Sequence, residues 1–323
     1  MSLDADSIVD RRRLRRKLTF WRICAILFVI LAVVAGAAYL SSSGESLAER
    51  TGAYIARVSI SGLIRNDTAR VESLDRLAKS AARAVIIHVD TPGGTTAGSE
   101  QLHTALRRVA AKKPMVVVVD GLAASGGYIT AIAADHIIAQ DTSLVGSIGV
   151  LFQYPNVGEL MRTLGIKVEE IKSSPLKAAP SAFEPTSPEA RAAIEAIVRD
   201  SYGWFRGLVR ERRHFDDAAL DRVADGRVFT GRQAMELKLV DQLGDEQAAV
   251  DWLAAEKGID SKLRVIDWQL RSRFGDLTFL HLAAVRALQA LGLDRLAELS
   301  AVRAVERVNL DGLLALWHPS SAN

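Results

Sequence analysis

Two apolar runs in this chain end in glycine-rich turns that open helical patterns. Val85–Val89 leads into Asp90-Thr91-Pro92-Gly93-Gly94, and Val116–Val119 into Asp120-Gly121-Leu122-Ala123-Ala124-Ser125-Gly126-Gly127-Tyr128. Backbone N–H groups at a helix start lack intrahelical partners, so such turns can hold a developing anion. Ser125, with the N–H of Gly126 and one from the Pro92-Gly93-Gly94 turn, has the parts of a nucleophile and a two-donor oxyanion hole. The same residues fit a plain helix N-cap with glycines relieving crowding, and the pattern alone does not separate the two.

A serine nucleophile needs a base, commonly a histidine oriented by a carboxylate. His88 and His136 fall in strand-like runs, His103 and His214 in helical ones, and His281 and His318 near the C-terminus. None lies in a catalytic turn, so a Ser-His-Asp arrangement has no positive support. The alternative is a lysine, which acts as a base only when neutral and so must lie in apolar surroundings. The segment Ile171-Lys172-Ser173-Ser174-Pro175-Leu176-Lys177-Ala178-Ala179-Pro180 offers two. Lys177, between Leu176 and Ala178, suits a desolvated amine; a solvated surface lysine is the plainer reading.

Short Val- and Ile-rich runs must position these turns. They predict strands at Tyr54–Ile60, Ala84–Asp90, Met115–Asp120, His136–Ala139, Ile148–Phe152, Lys167–Ile171 and Leu263–Trp268. Helical periodicity fits Thr68–Ala82, Gly98–Ala111, Gly126–Ala134, Gly158–Leu164, Pro188–Arg213, Ala218–Ala224, Gly231–Leu237 and Glu246–Lys257, with an amphipathic stretch to about Leu299. Strands alternating with helices of this length predict βα units and a largely parallel sheet, an α/β fold.

The 323 residues carry 41 Lys and Arg against 38 Asp and Glu. The positive excess is confined to residues 1–22, so the rest of the chain is near neutral and a nucleic-acid surface is not indicated. Ile23–Leu40 then runs 18 residues without a charge. At 1.5 Å per residue, 18 to 20 residues span roughly 27–30 Å, about the hydrocarbon core of a bilayer. The division expected is a basic cytoplasmic tail at 1–22, a transmembrane helix at 23–40, a linker at 41–53, a protease-sized domain at 54–259 and a mainly helical extension at 260–323. Basic residues before the span keep the N-terminus cytoplasmic and the body on the far side. A cleaved signal peptide, with Ala35-Gly36-Ala37 as its small-x-small site, is the competing reading. The sole cysteine, Cys24, lies in the span, which excludes an intrachain disulfide, a cysteine nucleophile and a cysteine metal site in the body.

These motifs, in order, resemble the short bacterial form of signal peptide peptidase A, a membrane-anchored serine protease family. The resemblance rests on the anchor, Pro92-Gly93-Gly94, Ala124-Ser125-Gly126-Gly127-Tyr128, Val145-Gly146-Ser147-Ile148-Gly149-Val150, Ile171-Lys172-Ser173 followed by Lys177, and Asp225-Gly226-Arg227-Val228-Phe229-Thr230-Gly231-Arg232-Gln233-Ala234. It implies Ser125 as nucleophile, Lys177 as general base 52 residues later, Gly94 and Gly126 as oxyanion donors and Ser147 as the residue orienting the lysine. Lys172 takes a surface role. Asp90-Thr91 stands where Asn-Ser is common in the family. The implied fold is a Clp/crotonase-like spiral of βα units. The resemblance also implies signal-peptide remnants as substrates, the bacterial inner membrane as location with a periplasmic catalytic domain, and a homo-oligomer sharing active sites between subunits. No cofactor, metal or nucleic-acid partner is expected. A crotonase-like acyl-transfer enzyme and a catalytically silent membrane scaffold are the alternatives.

Overall fold

The structure, a computed structural model, describes residues 21–22 and 52–270 and the backbone of Leu313–Leu316. The chain divides into two units, Met1–Gly52 and Ala53–Asn323, and the second holds the elements below. The expected span at 23–40 lies outside the described residues, as does most of the expected C-terminal helix. Among the described residues no helix is long and apolar enough to cross a membrane.

The main sheet is built on β1 (Tyr54–Ser61), β2 (Ala82–Thr91) and β4 (Met115–Ala124). These pair in parallel, with β5 (His136–Ala139) and β9 (Gln242–Leu243) beyond β4 and β10 (Val265–Asp267) outside β1. Strand side chains alternate between faces, and here both faces are covered, so the strands are nearly all apolar. Val85, Ile87, Val117 and Val119 join one buried cluster with Phe205 and Val209. Ala84, Ile86, Val116 and Val118 face the other way, onto Ala249, Val250 and Leu253. Those last three belong to α8 (Glu246–Lys257), and the first cluster is covered by α1 (Thr68–Ala78), α2 (Thr96–Ala110) and α5 (Pro188–Arg213), among other segments.

Local chemistry sets the helix ends. Asp67 caps α1, Thr95 caps α2, Ser187 with Pro188 opens α5, and Asp245 caps α8 by accepting from Gln247 and Ala248. α1 stops at Ala78, short of the expected Ala82, because Lys79 and Ser80 turn the chain and Ala82 already belongs to β2.

The expected strand at Lys167–Ile171 is absent: those residues have no ladder partner in the chain, and Ile171 is fully exposed. The run Ile148–Phe152 resolves instead into β6 (Leu144–Gly146) and β7 (Leu151–Phe152). β6 adds to the upper end of β4 and pairs antiparallel with β8 (Val228–Thr230). A second small sheet was not expected from the sequence. In it β11 (Leu313–Leu316), where a helical extension was expected, lies antiparallel between β3 (Gly93–Thr95) and β7.

Candidate active site

Ser125 sits between the end of β4 and the short helix α3 (Gly126–Ala131). Its φ of 55° and ψ of −114° lie where a residue with a Cβ is strained. The turn is held by its neighbours: the Ser125 N–H donates to the Gly146 carbonyl at 2.8 Å, and the Ser125 carbonyl accepts from Tyr128 and Ile129 at 2.9 and 3.0 Å. Ser125 occupies the N-cap position but makes no capping bond. Its hydroxyl is directed instead to the Gly149 carbonyl at 3.5 Å. That separates the two readings the sequence left open, since a strained, buried serine that does not cap has no role in ending the helix.

Glycines let the surrounding backbone come close. A Cβ on Gly127 would lie 2.7 Å from the Thr91 carbonyl oxygen, and one on Gly94 only 1.9 Å from that of Ile64. The two turns are thereby brought together, with the buried Gly93–Thr95 strand beside the buried Ser125-Gly126 junction. Gly126 opens α3, so its N–H has no intrahelical acceptor. Ser147 follows β6, is buried with φ 51°, and its N–H donates to the Arg227 carbonyl at 2.7 Å. Ser125 and Ser147 thus lie at the ends of two paired strands, β4 and β6.

Lys177 is not part of this cluster within the chain. It is exposed on an excursion between α4 (Gly158–Thr163) and α5, and its side chain makes no hydrogen bond or ion pair among the described residues. The excursion is fastened at its base, where Val157 donates to Ala182 and the Asn156 side chain to the Glu184 carbonyl, at 2.8 and 3.0 Å. Lys172 pairs with Glu170 and, at 3.7 Å, with Glu184, which suits its surface role.

No histidine contacts Ser125 among the described residues. His103 is buried and donates from Nδ1 to the Ile129 carbonyl at 2.8 Å, and desolvation pushes its pKa down. His136 stacks on Trp252. His88 bridges Asp120 at 2.9 Å and Glu246 at 2.8 Å on the α8 face of the sheet. No group of three or more His, Cys, Asp or Glu could hold a metal ion among the described residues.

Two features of the site were missed in the sequence. A cavity of about 360 Å³ opens beside Ser147, lined by Ile148, Val150, Leu151, Val198 and Tyr202 among others. It draws on α5, some fifty residues from Ser147, a separation that leaves no local pattern to read. The other is the groove formed by β3 and β7, each too short to announce itself by alternation.

The profile described as peptidase family S49 matches residues 107–260, which include Ser125, Ser147 and Lys177. The protease-named protein MJ0651 of Methanocaldococcus jannaschii is 34% identical over 272 residues, covering 78% of this chain and 87% of that protein. The protease-named slr0021 of Synechocystis is 35% identical over 208 residues, 64% of this chain and 75% of that protein. Protease 4 of Salmonella typhi is 33% identical over 190 residues, of which this chain spans 31% of the length. With a strained serine at a glycine-rich strand-to-helix turn and relatives matching across most of their length, the chain belongs to peptidase family S49, the signal-peptide-peptidase-A-like proteases that its motifs resemble.

Proposed function

We propose that the chain is a membrane-anchored serine endopeptidase that uses Ser125 and Lys177 to degrade signal-peptide remnants. The observation that carries the reading is the Ser125 junction, where a buried serine at positive φ makes no cap bond and stands beside glycine backbone on two sides. Neutral Lys177 takes the proton from Ser125 Oγ as the oxygen adds to a peptide carbonyl carbon. The N–H groups of Gly94 and Gly126 hold the resulting oxyanion, and Ser147 orients the lysine. Lysine returns the proton to the leaving amine, and water then hydrolyses the acyl-enzyme. Small residues around Ser125 suit a modest apolar side chain next to the scissile bond, with the cavity under Ile148–Leu151 receiving a second.

A lysine in solvent cannot supply this base, so in our reading a neighbouring copy covers it. The surface around Lys177 supports that: Ile166, Val168, Ile171, Leu176 and Phe183 are all exposed on the same excursion. A homo-oligomer with the lysine of one subunit serving the serine of the next follows, with the fold as a Clp/crotonase-like spiral. The anchor at 23–40 mounts it on the bacterial inner membrane, N-terminus inside and catalytic domain in the periplasm. The test is labelling of detergent-solubilised protein with a serine-reactive fluorophosphonate. Ser125→Ala should abolish labelling and Lys177→Ala should slow it by about 10²–10⁴-fold, the usual worth of a general base. Labelling that survives Ser125→Ala overturns the reading.

A further inference from the structure

β3 has two edges, and its hydrogen bonds divide between them. On one edge the Ile64 N–H donates to the Gly93 carbonyl at 2.8 Å, and the Ile64 carbonyl accepts from the Thr95 N–H at 2.9 Å. Backbone groups alternate in direction along a strand, so Gly94 turns its N–H and C=O to the opposite edge. That edge faces β7 across a slot one strand wide. On the Ser125 side, β7 begins two residues after Gly149, whose carbonyl meets Ser125 Oγ. The other wall starts two residues after Thr91, which packs on Gly127.

β11 fills this slot. Leu314, Ala315 and Leu316 pair antiparallel with Thr95, Gly94 and Gly93, while Leu313 and Leu314 pair with Phe152 and Leu151. Without β11, β3 and β7 would present two facing rows of unpaired backbone groups, a template for any extended peptide. The occupying segment, Gly312-Leu313-Leu314-Ala315-Leu316-Trp317, is uncharged and apolar, with its small residue in register with Gly94.

We propose that Leu313–Leu316 is the resident occupant of the peptide-binding groove, held in substrate register with the Ala315 carbonyl at the Gly94 amide, and that it competes with incoming peptides. This rests on the peptidase reading of the same site. It also defines what the groove selects: an extended apolar peptide with a small residue opposite Gly94. The chain carries such a peptide near its own C-terminus and is thereby restrained until a better ligand displaces it.

Ala315→Pro removes a backbone N–H and fixes φ, so it breaks the ladder without adding charge. If the tail holds the groove nine-tenths of the time, the variant should take the fluorophosphonate about tenfold faster than the unaltered chain. A synthetic peptide of residues 311–318 should slow it again. Equal labelling rates overturn the competition. Hydrogen exchange is read separately in a Ser125→Ala background, where activity plays no part. Amides at 93–95 and 151–152 should lose protection when Ala315→Pro is added, and unchanged exchange there overturns the occupancy. Protection lost without labelling in any chain that retains Ser125 leaves the occupancy standing and sinks the serine-protease reading instead.

Discussion

Ser125 was visible in the sequence because its chemistry is local: the turn, the glycines and the following helix all lie within a few residues of it. The charged group on the α8 face had no such signature, since His88 stands 158 residues from Glu246 and meets it only when α8 docks on the sheet. Glu246 accepts from Arg57 at 2.6 Å as well, and Arg57 also bonds Asp267 at 2.8 Å. The Arg57 guanidinium, chiefly, holds the Glu246 carboxyl below the usual carboxylate range, against the opposing pull of partial burial and with His88 adding to the effect. A carboxyl lowered in the folded state stabilises fully above the unfolded-state value and loses that contribution as pH falls through the folded one. Glu246→Gln should therefore cost about 1–3 kcal/mol near neutral pH, the range for a hydrogen bond to a charged group. The difference from the unaltered chain should vanish in acid. Urea unfolding of both proteins across that pH range checks it, and a constant difference would count against the ionic clamp.

Elements with their own caps and period were legible to within a residue or two. Pro188–Arg213 and Glu246–Lys257 match expectation because Ser187-Pro188 and Asp245 mark their starts and Gly258, at φ 63°, marks the end of the second. Elements that exist only through a partner were not legible. Lys167–Ile171 has strand composition and no partner, whereas Gly93–Thr95 has little strand composition and gains partners on both edges, Ile64 and β11. That second case depends on Gly94 having no Cβ, since a methyl group there would collide with Ile64 backbone at 1.9, 2.6 and 2.7 Å. Backbone atoms cannot step aside as a long side chain can, so Gly94→Ala must displace β3 itself. The expected loss is about 1–3 kcal/mol for overpacking a rigid site. Thermal unfolding and fluorophosphonate labelling should both fall, because the displaced strand also carries the oxyanion donor. An unchanged melting temperature would mean that the two segments separate without penalty.

At the scale of the whole molecule, the sequence supplied both halves of a catalytic pair, while the folded chain supplies only the serine half at the site. Ser125 is buried at the head of β4, and Lys177 stands exposed on a segment whose apolar residues find no cover in the same chain. Leaving that much apolar surface in water is unfavourable at about 25 cal/mol per Å², and a second copy that covers it would desolvate the lysine in the same step. A contact in which one subunit's excursion meets the next subunit's turn is head-to-tail, so it propagates around a closed ring. Complementation distinguishes this arrangement from a dyad within one chain. Ser125→Ala subunits retain a lysine, Lys177→Ala subunits retain a serine, and each preparation alone should label weakly or not at all. Reassembled together in equal amounts, a site regains both groups only when a Lys177→Ala subunit supplies its serine to a Ser125→Ala neighbour's lysine, in roughly a quarter of random head-to-tail contacts. Labelling should recover to about that fraction, with the label carried by the Lys177→Ala subunits. No recovery in mixed assemblies of verified composition would place the base within the same chain and require the 166–187 segment to fold back onto its own serine.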